Sequence, residues 1–286
     1  MDKPLPDFAD PPVVEVALAV QFEPLTALRT PQIGLLWNDF RNRFPTIEEH
    51  APLDPMVERF GVVTSPRARI QLEMMQKPPA LRCWFLNEAG TELIQVQQDR
   101  FAHNWRKVGE EHEYPRFKHI RETFAQELNN FELFLERENV GRLVPNQCEV
   151  TYVNHIVAGH GWERHGELGR VLTLLTADCV DEFLPEPEEV GLSAAYIIPD
   201  SKGDPLGRLR LSIKPAYRRV DDRPIFLLTL VARGRPDGEG REGALRFLDI
   251  GREWIVRGFA AMTTGEMHNI WRRRDDDDTD CTACGS

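Results

Sequence analysis

Val13-Val14-Glu15-Val16-Ala17-Leu18-Ala19-Val20-Gln21-Phe22 alternates with a period of two. Val14, Val16, Leu18, Val20 and Phe22 fall on one face, and Glu15, Ala17, Ala19 and Gln21 on the other, which predicts a half-buried β-strand. Working outward, Thr30-Pro31 supplies an N-cap and a first-turn proline, and Ile33, Leu36, Trp37 and Phe40 recur at helical spacing until Pro45 stops the run. Four short strand-like runs follow, Phe60 to Thr64, Arg69 to Met75, Leu81 to Leu86 and Glu92 to Gln98. Ser65-Pro66, Pro78-Pro79 and Asn87-Glu88-Ala89-Gly90 separate them, the punctuation of an antiparallel meander. Phe117, Ile120, Phe124, Leu128, Phe131 and Leu135 then step by three and four, the stripe of a long amphipathic helix ending near Gly141.

The order then starts again. Gln147 to Val157 reads as a strand, with Cys148, Val150 and Tyr152 on one face, and Leu168 to Val180 reads as a short helix. Ser193 to Ile198, Gly207 to Ile213 and Ile225 to Ala232 read as three strands. Ala244, Phe247, Leu248, Ile255, Phe259 and Met262 mark a second long helix, followed by a short helical appendage from Met267 to Arg272. Pro12-Val13-Val14-Glu15-Val16 and Asn146-Gln147-Cys148-Glu149-Val150 even open the two halves with similar text. The expected fold is therefore α+β, with two tandem β-α-β(3–4)-α units spanning 1–144 and 145–272. Each antiparallel sheet packs on its own long C-terminal helix, because a one-sided sheet and an amphipathic helix each need a partner surface. The two sheets join edge to edge about a pseudo-two-fold axis, and residues 273–286 form a disordered acidic tail.

Composition narrows the function classes. A chain of 286 residues with 41% apolar and 28% charged residues buries a core. No run approaches the roughly 18 to 20 consecutive apolar residues needed to cross a bilayer, and Met1-Asp2-Lys3-Pro4 opens without a charged-then-apolar leader, so a cytoplasmic protein without membrane association is expected. Of five cysteines, Cys83, Cys148 and Cys179 lie far apart and Cys281 and Cys284 sit in the tail, so no disulfide framework is suggested. The net charge of −11 disfavours broad nucleic-acid binding, which needs the opposite balance or a clustered basic face.

Several strings carry a family resemblance. They are Pro11-Pro12-Val13-Val14-Glu15-Val16, Leu36-Trp37-Asn38-Asp39-Phe40-Arg41-Asn42-Arg43-Phe44-Pro45, Leu93 to Phe101 with Asn104-Trp105-Arg106-Lys107, and Glu149 to Asn154. Over nearly the whole chain up to Trp271, this text resembles a sporadically distributed bacterial protein family of about this length that has no established activity. The resemblance implies no reaction and no cofactor, and the patchy distribution implies mobile or defence-associated genes.

The candidate site comes from the residues. Gln95 and Gln97 share one strand face, so two side-chain amides stand ready to read donors and acceptors. Asn104, Trp105 and Arg106 add an amide, a stacking surface and a guanidinium, a combination suited to a planar anionic ligand. The plainer reading has the glutamines on a solvent face, Trp105 in the seam between sheet and helix, and Arg106 paired with a carboxylate. Asn154, in a strand that otherwise reads as buried, must find partners or cost about 1–3 kcal/mol. His155, His160 and His165 recur every five residues, a spacing that serves neither a helix face nor a strand face, and neighbouring glycines predict solvated loop histidines. Cys281-Thr282-Ala283-Cys284 has the separation of half a metal site or a redox pair, but no second such pair exists.

Standard catalytic and nucleotide-binding text is absent: there is no P-loop, G-x-G-x-x-G, G-x-S-x-G, H-E-x-x-H or EF-hand loop. The favoured reading is a non-enzymatic module that binds a protein or a small polar ligand through Gln95, Gln97, Asn104, Trp105, Arg106 and Asn154, with no cofactor required. Two alternatives stand beside it. One is a metal-dependent hydrolase or nuclease of new type, and the other an acidic adaptor that masks a basic partner or carries a modifiable cysteine tail. Trp254 with Gly251 and Gly258 permits close helix packing, within the chain or across a homodimer.

Overall fold

In a computed structural model that describes residues 4–61, 81–175, 183 and 185–274, the two-residue strand β1 (Asp7–Phe8) precedes β2 (Val13–Phe22), the strand read from the alternating text. Val16, Leu18, Val20 and Phe22 are fully buried on one face of β2, while Glu15, Ala17 and Gln21 lie on the other. Helix α1 (Thr30–Phe40) buries Ile33, Leu36 and Phe40, as its spacing predicts. Strands β3 (Thr46–His50), β4 (Arg82–Leu86), β5 (Glu92–Gln97) and β6 (Arg100–Arg106) follow, and helix α2 (Arg116–Arg137) closes this part of the chain. The later part runs through β7 (Pro145–Val157), a 3-10 turn at His165–Glu167, and the short helix α3 (Leu168–Val171). Strands β8 (Leu192–Pro199), β9 (Pro205–Tyr217) and β10 (Pro224–Gly234) come next, then helices α4 (Gly240–Met262) and α5 (Gly265–Ile270) and strand β11 (Arg273–Arg274).

The described strands form one nine-stranded antiparallel sheet in the order β3-β4-β5-β6-β2-β7-β10-β9-β8, and β1 pairs with β11 in a separate ribbon. β2 and β7 pair at the middle, with Leu18 opposite Val150 and Gln21 opposite Gln147. Both long helices cover the same face. α2 lies over β6, and α4 lies over β7 and β10. The core fills the space between, from Phe101, Phe124 and Phe131 on one side to Phe226, Phe247 and Leu248 on the other. Gly251 faces the sheet: a Cβ there would stand 3.1 Å from Val150 and 3.2 Å from Ala232, so the small residue serves close approach of helix to sheet within the chain.

Four expectations are corrected. The run Phe60 to Thr64 is not a strand where described, since residues 60 and 61 lie in no strand; residues 62–64 and the run Arg69 to Met75 lie outside the described residues. The edge strand β3, Thr-Ile-Glu-Glu-His, was not expected, because an exposed edge strand carries no apolar alternation. The helix expected over Leu168 to Val180 stops at Val171, since Leu172 adopts extended angles and bridges Thr263; residues 176–180 lie outside the description. The histidines are not a set of solvated loop residues. His155 sits on β7, and the ring of His165 packs on Trp162 and Phe226 while its Nε2 lies 3.0 Å from the carbonyl oxygen of Ile225.

Candidate functional site

Asn104 and Trp105 are adjacent, so β6 must send them to opposite faces of the sheet. Asn104 lies on the face away from the helices, where Gln95 Nε2 donates to its Oδ1 at 2.7 Å and its Nδ2 donates to Glu15 Oε1 at 2.5 Å. Arg82 Nη1 donates to Gln95 Oε1 at 3.1 Å, which completes a polar ladder across β4, β5, β6 and β2. Gln97 shares this face and holds both the backbone N–H and the C=O of Leu53 at 3.0 Å. Arg106 closes a turn by donating from Nε to the carbonyl oxygen of Gly90 at 2.7 Å, and pairs with no carboxylate among the described residues. Trp105 faces the helices, 4% exposed, with its ring 5.4 Å from that of Tyr114. Asn154 also faces the helices, 1% exposed, and donates from Nδ2 to Leu228 O at 3.2 Å. The six residues thus do not share one groove: Gln95, Gln97 and Asn104 lie on one side of the sheet, and Trp105 and Asn154 on the other. Cys281 and Cys284 lie outside the described residues.

Asn154 belongs to the floor of a cavity of about 330 Å³ between the two long helices. Tyr152 and Asn154 of β7 and Leu230 of β10 form that floor. Phe117 of α2 and Ile255 and Phe259 of α4 make apolar walls, and Phe8, Pro11 and Val13 cover it from the N-terminal side. This is the pattern of a ligand cavity, mostly apolar with a few polar groups that fix orientation.

The polar groups are concentrated. The hydroxyls of Tyr114 and Tyr152 lie 3.0 Å apart. Burial pushes both phenols above their ordinary value, so each stays a neutral hydroxyl. Arg252 stands beside the pair, its side chain hydrogen-bonded to Tyr152 and its guanidinium 5.1 Å above the Phe117 ring, while its Nε is buried without a hydrogen-bond partner among the described residues. A buried N–H donor left unpaired is costly. Arg116, Lys118 and Arg274 add positive charge at the rim, against the carboxylate of Asp7. The rim is also backbone-specialised: Arg116 adopts φ 71° and donates to the carbonyl oxygens of Phe8 at 2.8 Å and Ala9 at 3.2 Å. A non-glycine residue in this region costs about 1 kcal/mol or more and persists where its surroundings hold it in place.

Of this cavity the sequence indicated Asn154 alone. Tyr114, Arg252 and Phe259 converge from separate segments, and their local signal was confined to Tyr114-Pro115 ahead of a helix and an arginine within an apolar helical stripe. Among the described residues no group of three or more His, Cys, Asp or Glu side chains is arranged to hold a metal ion, and no helix is long and apolar enough to cross a membrane. No family model, curated protein or solved structure matches the chain.

Proposed function

We propose that this chain is a non-enzymatic binding module whose central cavity takes a small amphipathic anion, a carboxylate or phosphate ester on an apolar body. The Arg252 guanidinium and the paired Tyr114 and Tyr152 hydroxyls, set among apolar walls, carry the reading. The anionic head meets the guanidinium and the two phenolic hydroxyls, and the body lies between Phe117, Ile255, Phe259 and Leu230. Placing a charged donor in a largely apolar site favours a ligand that brings the opposite charge with it. The local charge is opposite in sign to the net charge of −11 carried by the whole chain.

The chain is best read as a duplicated unit with its boundary at 144/145 and a pseudo-two-fold axis between β2 and β7. The support is strand order: each central strand is flanked on its outer side by the last strand of its own half, β6 or β10. Membership of the sporadically distributed bacterial family, a defence or mobile-element setting and a cytoplasmic location rest on the resemblance and the composition.

Isothermal titration with phenylphosphate and benzoate tests the binding reading. Wild-type protein takes up at least one of them with a Kd at or below about 1 mM, and Arg252→Gln weakens that binding about tenfold or more. Equal affinity for both anions and for benzyl alcohol, unchanged by Arg252→Gln, contradicts it.

A further inference from the structure

On the sheet face away from the helices, Gln97, Arg100, Gln21 and Gln147 form one row across β5, β6, β2 and β7, each opposite the next in register. Residues 53–60 lie along this row. Leu53 is held through both backbone groups by the Gln97 amide, and Arg100 Nη2 donates to Asp54 O at 3.3 Å. Met56 N donates to Gln21 Oε1 at 2.8 Å, and Glu58 N donates to Gln147 Oε1 at 3.2 Å. Spacing explains the fit: three strand intervals of about 4.8 Å make about 14 Å, close to the reach of five extended residues at about 3.3 Å each. Side-chain amides thus read a backbone that crosses the strands, and these contacts do not depend on which side chains the segment carries.

The exception is Glu58. Its carboxylate accepts from Arg210 Nε at 3.1 Å and Nη2 at 2.9 Å, and also from Arg208, with Arg233 Nη1 3.8 Å away. Arg208 donates to Arg59 O at 3.2 Å, and its guanidinium lies 5.0 Å from the Phe60 ring. Within residues 51–60 Glu58 alone is buried, while Leu53, Met56 and Val57 are exposed. The segment therefore gains little from apolar burial and is held by backbone hydrogen bonds and one carboxylate. Beside Met56, over Ala19, a void of about 20 Å³ remains, room for about one water.

We infer that this row of glutamines ending in an arginine cluster is a docking groove for an extended, acidic segment of a partner protein, which displaces residues 53–60 and places its own carboxylate between Arg208 and Arg210. The resident segment is the template for that ligand, since it shows the groove satisfied by backbone amides at alternating positions and by one anion. Peptide recognition of this kind draws affinity from main-chain hydrogen bonds and specificity from one side-chain pocket. Local competition by a tethered segment lowers the apparent affinity of a partner by the fraction of time the groove stands open.

The probe is a fluorescein-labelled peptide of residues 51–61, titrated by anisotropy into the full chain. Glu58→Ala, which removes the resident's anchor and leaves the arginines, binds the peptide about tenfold or more tighter than wild type. The same peptide with its glutamate replaced by glutamine binds that variant about tenfold more weakly, and adding Arg210→Glu abolishes binding while the melting temperature stays that of Glu58→Ala. Hydrogen exchange in wild type shows the amides of Met56 and Glu58 opening faster than those of β2 and β7. Three outcomes overturn the assignment: no binding to Glu58→Ala, protection of Met56 and Glu58 equal to the central strands, or a Glu58→Ala dimer in light scattering that excludes the peptide and so gives the groove to a second copy.

Discussion

The hydroxyl of Tyr114, just ahead of α2, meets the hydroxyl of Tyr152, on the central strand β7, at 3.0 Å. This contact ties a helix entry to the middle of the sheet and forms the polar floor of the cavity beside Arg252. The two phenols share one hydrogen bond, and Tyr152 also has Arg252 beside it, so removing the Tyr152 hydroxyl takes away the partner of Tyr114. Tyr152→Phe and Tyr114→Phe each lower stability by about 1–2 kcal/mol, whereas the double variant loses less than the sum. Urea denaturation of the three variants checks this, and simple additivity contradicts a shared hydrogen bond.

The same burial sets an alkaline limit. Phenols in the unfolded chain release their protons near the ordinary value of 10.0, while the buried Tyr114 and Tyr152 retain theirs to higher pH. The unfolded state then holds fewer protons than the native state, so stability is fully present below 10.0 and falls as pH rises through the folded values. The buried thiol of Cys148, raised by desolvation from 9.0, acts in the same direction and begins its loss at lower pH. Denaturation curves between about pH 8 and pH 11 show the decline, and Tyr114→Phe with Tyr152→Phe flattens its upper part.

Phe247 on α4 rests over paired glycines of β9 and β10. A Cβ at Gly234 would stand 2.5 Å from both Leu206 O and the Phe247 ring, with backbone on one side and a buried aromatic on the other. Gly234→Ala therefore costs about 2–3 kcal/mol through overpacking. A thermal melt indistinguishable from wild type contradicts that packing.

Glu127 on α2 accepts from Arg43 Nη1 at 2.8 Å, and its Oε2 lies 2.8 Å from His103 Nδ1, with the histidine wholly buried. Glu127→Ala leaves the buried His103 Nδ1 without its partner, while Arg43 keeps Glu92 at 2.7 Å, and lowers stability by about 1–3 kcal/mol in chemical denaturation. Arg43→Ala costs less, because an ion pair with a 43% exposed arginine is screened by water and Glu127 keeps His103 as its partner.

That network also explains what the sequence did and did not disclose. β2 and β9 were legible because apolar and polar residues alternate along them, and α2 and α4 because their apolar residues keep helical spacing. β6 was not read as a strand, since His103 occupies a core position where alternation calls for an apolar side chain. Its partner Glu127 lies 24 residues downstream, a compensation visible only in space. The polar cluster from Gln95 to Arg106 stands out in the sequence, but strand geometry divides it between two faces. The cavity escaped because its lining residues come from the N-terminal segment, two helices and two central strands.

Methyl NMR during titration with phenylphosphate tests the cavity most directly. Binding there shifts the methyl resonances of Leu230 and Ile255, which line the apolar walls, and Arg252→Gln suppresses those shifts at the same ligand concentration. Shifts confined to methyl groups outside the space between α2 and α4, with Leu230 and Ile255 unmoved at saturation, contradict the account.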